Sequence, residues 1–409
     1  MIFLYFVAIR VFFVGVLIAS LYNKKAGAWL SGRKEILKKI RQSVGKDERI
    51  IWFHAASLGE FEQGRPVMEA IRKKYPEYKI LITFFSPSGY EIRKNYSGAD
   101  YIFYLPLDTA QNASKFVEIV RPSVVFFIKY EFWYHYLRTL YKKKIPVYLI
   151  SAIFRKNQLF FSWYGGWYRK MLDYFTHIFV QNDESLNLLS ESGISHISKS
   201  GDTRFDRVAE IARKTKTLDI AENFRDNKTV VICGSTWDKD EDLIIKYINN
   251  SGSDLKFIIA PHEIHEAHIQ RIVSELKKPY ILYSEANNKN VKNKQGLIIN
   301  NIGMLSSLYK YGDWAYIGGG FGAGIHNILE AATFNLPAVF GPNYQKFKEA
   351  VDLIEYEGAF CIRDLNELSA IFNVFLNDKE KRELSGKIAG DYIIKNQGAT
   401  TKIMQAVFS

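Results

Sequence analysis

Two doubly wound α/β halves in one chain are what the sequence predicts, and three observations carry that expectation. From residue 50 onward, short uninterrupted apolar runs alternate with amphipathic stretches; the rhythm pauses in a polar, charged stretch at about 207–228; it then resumes. A continuous apolar run suits a strand buried on both faces, which means a parallel sheet covered by helices. The chain has 409 residues, and at roughly 150 per domain that is enough for two to three cores. Hydrophobic residues make up 47% and charged residues 24%, with only 10 Pro, which excludes disordered and collagen-like chains. The two cysteines, Cys233 and Cys361, are too few for a disulfide framework or a CxxC-type zinc site, so a reducing compartment is expected.

Residues 1–22 come first and are almost wholly apolar, broken by Arg10 and Ser20. A helix of about 20 residues crosses a ~30 Å hydrocarbon core, so a membrane anchor is expected. Arg10, near its middle, costs about 2.5–3.5 kcal/mol in a symmetric span, which leaves a helix lying on the bilayer open, and a buried core helix is a third reading. A cleaved signal peptide fits poorly, because no charged leader precedes the run and no A-x-A site follows it. Lys24, Lys25, Arg33, Lys34, Lys38, Lys39 and Arg41 come next and account for part of a net charge of +12. Basic residues beside an apolar helix fit the anionic cytoplasmic face of a membrane better than nucleic acid, for which no reader motif is present.

The first half then offers strands at 50–56, 79–85, 123–130, 146–152 and 177–182, with helices at 61–75, 87–96, 132–143 and 183–191 and caps at Ser86-Pro87, Asp108-Thr109 and Asp183. The second offers strands at 229–235, 256–261, 281–284, 296–300, 313–320 and 337–342, followed by helices at 364–376 and 378–395. Domains are therefore expected at 1–22 (anchor), 30–206, 225–385 and 386–409 (a helical segment), with a ligand cleft between the two halves. Open α/β sheets bind ligands outside the carboxyl ends of their strands.

The loops there carry the candidate chemistry. Gly318-Gly319-Gly320-Phe321-Gly322-Ala323-Gly324 follows an apolar strand and leads into Ile325-His326-Asn327-Ile328-Leu329-Glu330. Glycines let backbone amides approach an oxyanion and a helix N-terminus adds positive charge, so a phosphate-bearing ligand is expected, with Glu330 toward ribose hydroxyls. No GK[ST] follows, which excludes a Walker loop. His54-Ala55-Ala56-Ser57-Leu58-Gly59-Glu60 leaves the first buried strand; Glu60 is either a general base at the mouth of the sheet or a first-turn acid favoured by the helix dipole. Glu131 is a second acid or a helix cap, and His54 reads as a packed strand-end histidine. Ser88-Gly89 opens another helix. Arg204 is a phosphate partner or a surface arginine, and Ser235 and Thr236 end the first strand of the second half. His262, His265 and His268 lack the acid-plus-histidine pattern of a zinc hydrolase, so no metal and no cofactor are expected.

Taken in order, HAASLGE, SPSGYE, YLPLD, YEFW, ISA, VQND, GDTRFD, GST, GGGFGAGIHNILEA and FGPN resemble the 3-deoxy-D-manno-octulosonic acid (Kdo) transferase family of lipopolysaccharide synthesis over nearly the whole chain. The resemblance implies the GT-B fold and an inverting, metal-independent transfer of Kdo from CMP-Kdo to the lipid A precursor (lipid IVA) at the cytoplasmic face of the inner membrane. It implies Glu60 as catalytic base and Glu131 as a second acid. Ser57, Gly59, Ser88 and Gly89 fall to the acceptor. Ser235, Thr236, His262, Gly318, Gly319, Gly320, Gly322, Gly324, Asn327, Glu330 and Arg204 fall to the donor. Three motifs depart from the family pattern: His262 stands after Pro261 where an arginine is usual, Asp202 and Arg204 replace Asn or Ser and Lys, and GAGIHN is longer than GGHN. Two rival readings stand beside this one: a GT-B transferase using a UDP-sugar on another lipid-linked acceptor, and a non-catalytic membrane-associated binding protein.

Overall fold

The computed structural model describes residues 2–408 and divides into two units: the chain up to Arg207 with the segment from Gln397, and Val208–Asn396. Each holds a seven-stranded parallel sheet. In the first unit β1 (Ile50–Ala55), β2 (Lys79–Phe84), β3 (Tyr101–Tyr104), β4 (Pro122–Ile128), β5 (Val147–Ala152), β6 (His177–Val180) and β7 (Ile197–Lys199) lie in the order β3-β2-β1-β4-β5-β6-β7. In the second, β8 (Thr229–Thr236), β9 (Leu255–Pro261), β10 (Tyr280–Leu282), β11 (Gly296–Ile298), β12 (Trp314–Ile317), β13 (Ala338–Phe340) and β14 (Ala359–Cys361) lie in the order β10-β11-β9-β8-β12-β13-β14. The succession of strands reverses between β1 and β4 and again between β8 and β12. Two topological switch points result, one per unit.

β1 shows why the sequence folds this way. All six residues are buried, and side chains alternate across the sheet: Ile50 and Trp52 join the core on one face, Ile51, Phe53 and Ala55 that on the other. Three strands went unanticipated: β3, β7 and β14, each three or four residues long and at a sheet edge. An edge strand is covered less completely and carries no long apolar run. At the helix starts, Ser86 and Thr109 cap as expected. The third cap is Asn182, not Asp183: Asn182 accepts from the Ser185 amide at 2.9 Å, and Asp183 falls in the first turn.

Two expected boundaries come out differently. The polar stretch at 207–228 is largely helical, in Thr203–Lys214 and Asp219–Arg225. The segment 386–409 is split. Helix Lys379–Asn396 belongs to the second unit, whereas helix Ala399–Phe408 returns to the first. There Ile403 and Met404 enter the core beneath β1, and Asp206 accepts from the Gly398 and Thr400 amides at 2.6 and 2.7 Å.

The N-terminal apolar run forms helix α1 (Ile2–Ala19), long and apolar enough to cross a membrane, with no residue of it fully buried. α2 (Lys24–Arg33) and α3 (Ile36–Ser43) follow, joined through Glu35 in a left-handed conformation (φ 54°). Inside α1 the Arg10 guanidinium lies 3.4 Å over the Phe6 ring. α1 rests against loops at the carboxyl ends of three strands. The Tyr5 hydroxyl donates to Asp108 after β3, its ring packs on Tyr134 after β4, and Phe12 meets Phe85 after β2. Asp108 is buried and also accepts from the amides of His135 and Tyr136 at 3.1 Å each, capping helix Tyr134–Lys142. Burial raises its pKa despite these donors. Tyr5→Phe removes a hydroxyl bonded to a buried carboxylate, so unfolding free energy in detergent should fall by about 1.5–3 kcal/mol, read from the denaturant midpoint.

Candidate active site

Open parallel sheets bind ligands at their switch points, and the loops after β1, β4, β8 and β12 hold most of the candidate residues. After β1 the chain enters α4 (Leu58–Lys74) through a capping box, in which Ser57 is the cap and Glu60 the third helical residue. The Ser57 amide donates to Glu60 Oε2 at 3.0 Å, and the Ser57 hydroxyl meets the same oxygen. Glu60 Oε1 has no hydrogen-bond partner among the described residues. The carboxylate is thus oriented through one oxygen, half-buried, with the other left to accept a proton.

Two further loops close on this one. Gly89 packs so near that a β-carbon there would lie 2.4 Å from the Phe84 ring and 3.1 Å from the Ser57 carbonyl carbon, so a side chain at 89 would push the two turns apart. Ser88 sits beside it, its hydroxyl 2.9 Å from that of Ser86, and Gly59 is exposed in the first turn of α4. Ser57, Gly59, Ser88 and Gly89, the residues that the family resemblance assigns to an acceptor, are therefore contiguous. Lys129, after β4, adopts a left-handed backbone (φ 69°) and lies within electrostatic reach of Glu60, Arg204, Asp202 and Arg155. Burial lowers its ammonium pKa, and Glu60 opposes that shift. Arg204, read from the sequence as a donor residue, lies in the first unit, where it pairs with Asp202 at 2.8 Å.

Glu131 takes a different position from the one anticipated. It does not cap the following helix, whose first amides are bound by Asp108. It is buried, with Oε2 2.9 Å from His54 Nε2 and 2.5 Å from Trp133 Nε1. Trp52 Nε1 donates to the Thr83 hydroxyl (2.8 Å); His54 Nδ1 lies 2.8 Å from that hydroxyl and 3.0 Å from the Thr83 carbonyl oxygen; and Trp133 Nε1 donates to Glu131 at 2.5 Å and stands 3.0 Å from His54 Nε2. Glu131 ends a buried network between β1, β2 and β4, and His54 is a satisfied member of it.

In the second unit the glycine run folds back on β8 and β13. A β-carbon on Gly318 would lie 2.1 Å from the Ser235 carbonyl oxygen, and one on Gly320 2.5 Å from the Gly341 nitrogen, so only glycine fits at either place. Gly319 and Gly324 have φ of 92° and 140°. Gly322 and Gly324 both donate to the Gly319 carbonyl, and Asn343 fastens the loop from outside by bonding Gly322 at 2.8 Å. The loop is held open by Asp240, which accepts from the Gly319 amide (2.8 Å), the Trp237 amide (3.0 Å) and the Tyr316 hydroxyl (2.8 Å); burial raises its pKa. The helix that follows does not start at the glycines. It spans Ile328–Ala332, capped by Asn327, so Glu330 falls in its first turn rather than further in, bonded by Asn327 at 3.0 Å and by the Ser306 hydroxyl.

Ser235, next to last in β8, has a left-handed backbone (φ 54°), and the buried Thr236 hydroxyl donates to Glu241 at 2.8 Å. His262 stacks between Trp237 and His326, ring centroids 4.6 Å from each, while Trp237 Nε1 donates to His326 Nε2 at 3.0 Å. Burial, then His262, lower the His326 pKa, which suits an imidazole accepting a hydrogen bond. The three histidines of 262–268 separate: His262 joins this stack, His265 caps helix Glu266–Glu275, and His268 bonds Glu241 at 3.1 Å. Asp238, Glu241 and His268 could together approach a cation, but the Arg271 guanidinium already pairs with Glu241 and with Asp238 at 3.4 Å. Sequence reasoning missed Asp240, Trp237 and Lys129. Asp240 is one of four acids in DKDED, buried together with Glu241, and only its bonds to Gly319 and Tyr316, more than 70 positions away, set it apart; Trp237 meets His326 across 89 positions.

Two doubly wound sheets with these loops define a GT-B protein. Among solved structures, UDP-GlcNAc 2-epimerase from Neisseria meningitidis bound to UDP-GlcNAc superposes with a TM-score of 0.61 at 17% identity, covering 88% of this chain and 99% of the other. Acinetobacter baumannii MurG gives 0.55 at 12%, over 88% and 99%. A family model described as 3-deoxy-D-manno-octulosonic-acid transferase (kdotransferase) matches residues 31–207. The Aquifex aeolicus 3-deoxy-D-manno-octulosonic acid transferase is 26% identical over 373 residues, 88% of this chain and 97% of that protein, and the Rickettsia bellii one 26% over 425 residues, 99% and 97%. The protein is therefore a glycosyltransferase, similar to the Kdo transferases along most of its length.

Proposed function

We propose that the protein transfers Kdo from CMP-Kdo to the lipid A precursor in lipopolysaccharide synthesis, with inversion and without a divalent metal, at the cytoplasmic face of the inner membrane. The observation that carries this reading is Glu60, held through Oε2 by Ser57 with Oε1 available, in the loop after β1. Glu60 takes the proton of the acceptor hydroxyl as its oxygen attacks the anomeric carbon. The bond from that carbon to the phosphate oxygen breaks with its electron pair, and CMP leaves. His262 stabilises the departing phosphate, the glycine run, whose Gly318, Gly319, Gly322 and Gly324 amides are bonded within the protein, leaves the close approach that side chains would block, and Ser235 and Asn327 border the nucleotide. The rings of Trp237 and His326 offer a flat wall to the base. A lipid-linked acceptor suits the place where α1 docks, beside the loops after β2, β3 and β4.

Incubating the purified protein with CMP-Kdo and lipid IVA, followed by mass analysis of the glycolipid, tests donor, acceptor and product number together. Product is expected in the presence of a chelator. The fold neighbours include a UDP-sugar complex, so the rival is a UDP-sugar transferase. Thermal stabilisation by UDP and not by CMP would favour that rival.

A further inference from the structure

Beside α1 the first unit carries an open groove of about 870 Å³, within the range of ligand sites (roughly 300–1,000 Å³). One wall is the C-terminal half of α1, with Phe13 and Leu17; the floor is Leu30 and Leu107, at the elbow where Glu35 turns α2 into α3. Lys34 and Lys38 stand exposed at its rim, and the one acid there, Glu35, is 3.9 Å from Lys38. The groove is tied to the acceptor loops by Arg33, which donates to the carbonyls of Leu105 at 2.8 Å and Phe85 at 2.7 Å and lies 3.7 Å over the Trp29 ring. Burial lowers the Arg33 pKa to about 9. Phe85 directly precedes the Ser86–Gly89 turn that packs on Ser57.

We propose that this groove holds one acyl chain of the acceptor glycolipid, with Lys34 and Lys38 facing its anionic headgroup. The proposal rests on the lipid-acceptor reading above and adds the place where the chain sits. Apolar walls opening toward a basic rim complement an amphiphile with a fatty tail and phosphate, and the Arg33–Phe85 link makes the groove continuous with the turn beside Glu60. Anchoring the tail there turns a search over the bilayer plane into a local one, so the benefit appears in acceptor KM rather than in the chemical step.

Leu107→Trp, with Leu30→Trp as a second variant should the first fail to fold, fills the groove. KM for the acylated acceptor should rise about tenfold, the discrimination expected of a small misfit in a hydrophobic pocket. Turnover of the deacylated phosphorylated disaccharide should be unchanged. Trp29 reports occupancy independently of transfer: an acceptor carrying a brominated acyl chain should quench the fluorescence that is lost in Trp29→Phe. Quenching without Kdo transfer would leave the groove standing and remove the functional reading. Transfer with equal effects on both acceptors, or with Trp29 unquenched, would overturn the groove. So would quenching by brominated phosphatidylglycerol that the acceptor does not displace, which would assign the site to bilayer lipid.

Discussion

Glu60→Gln should lower turnover by about 10²- to 10⁴-fold, the usual contribution of a positioned general base, and leave thermal stabilisation by CMP unchanged. The substitution separates chemistry from architecture. A capping box accepts Gln as well as Glu at its third position, so the Ser57 amide keeps its partner and α4 keeps its start. Only the capacity to take a proton through Oε1 disappears. Steady-state kinetics on lipid IVA measure it, with a denaturation curve for each protein as control. An unimpaired rate would reduce Glu60 to a helix-capping residue and leave the base to be found elsewhere in the first unit.

The second large effect lies in the other unit and begins with stability. Asp240→Ala leaves the Gly319 amide, the Trp237 amide and the Tyr316 hydroxyl without their acceptor. At about 1–3 kcal/mol for each buried unsatisfied donor, the loss should reach roughly 3 kcal/mol or more. With the loop unpinned, affinity for CMP should fall as well, measured by calorimetry on protein that is still folded. Asp240→Asn keeps one acceptor oxygen and should cost less. The pH dependence has a definite sign. Burial raises the folded pKa of Asp240, so its contribution to stability is fully present below the ordinary aspartate pKa of about 3.9 and is lost as pH rises through the folded value. The stability gap between the natural protein and Asp240→Asn should therefore narrow as pH rises from about 4, which chemical denaturation at several pH values will read.

Much of this was legible in the chain itself, for physical reasons. Central parallel strands must be apolar throughout, so β1, β2, β4, β5, β8 and β9 announced themselves; β3, β7 and β14, short and at edges, did not. Glu60 stood out because an acid just after a buried strand, at the start of a helix, is a local pattern. Asp240 and Trp237 act through partners dozens of residues away and leave no local trace. Glu131 was visible as an acid at a strand end, but its partner His54 lies 77 positions earlier in the chain. The helix starts separated on the same principle: a cap one residue early, at Asn182, is invisible when Asn and Asp stand side by side.

Because helix Ala399–Phe408 closes the core beneath β1, the order of synthesis and the order of completion are reversed. The half that leaves the ribosome first waits, with an apolar seam open, for the segment from Gln397 onward, while the half made second is already whole. A gene cut before residue 397 would yield an intact second unit attached to an unfinished, sticky first one.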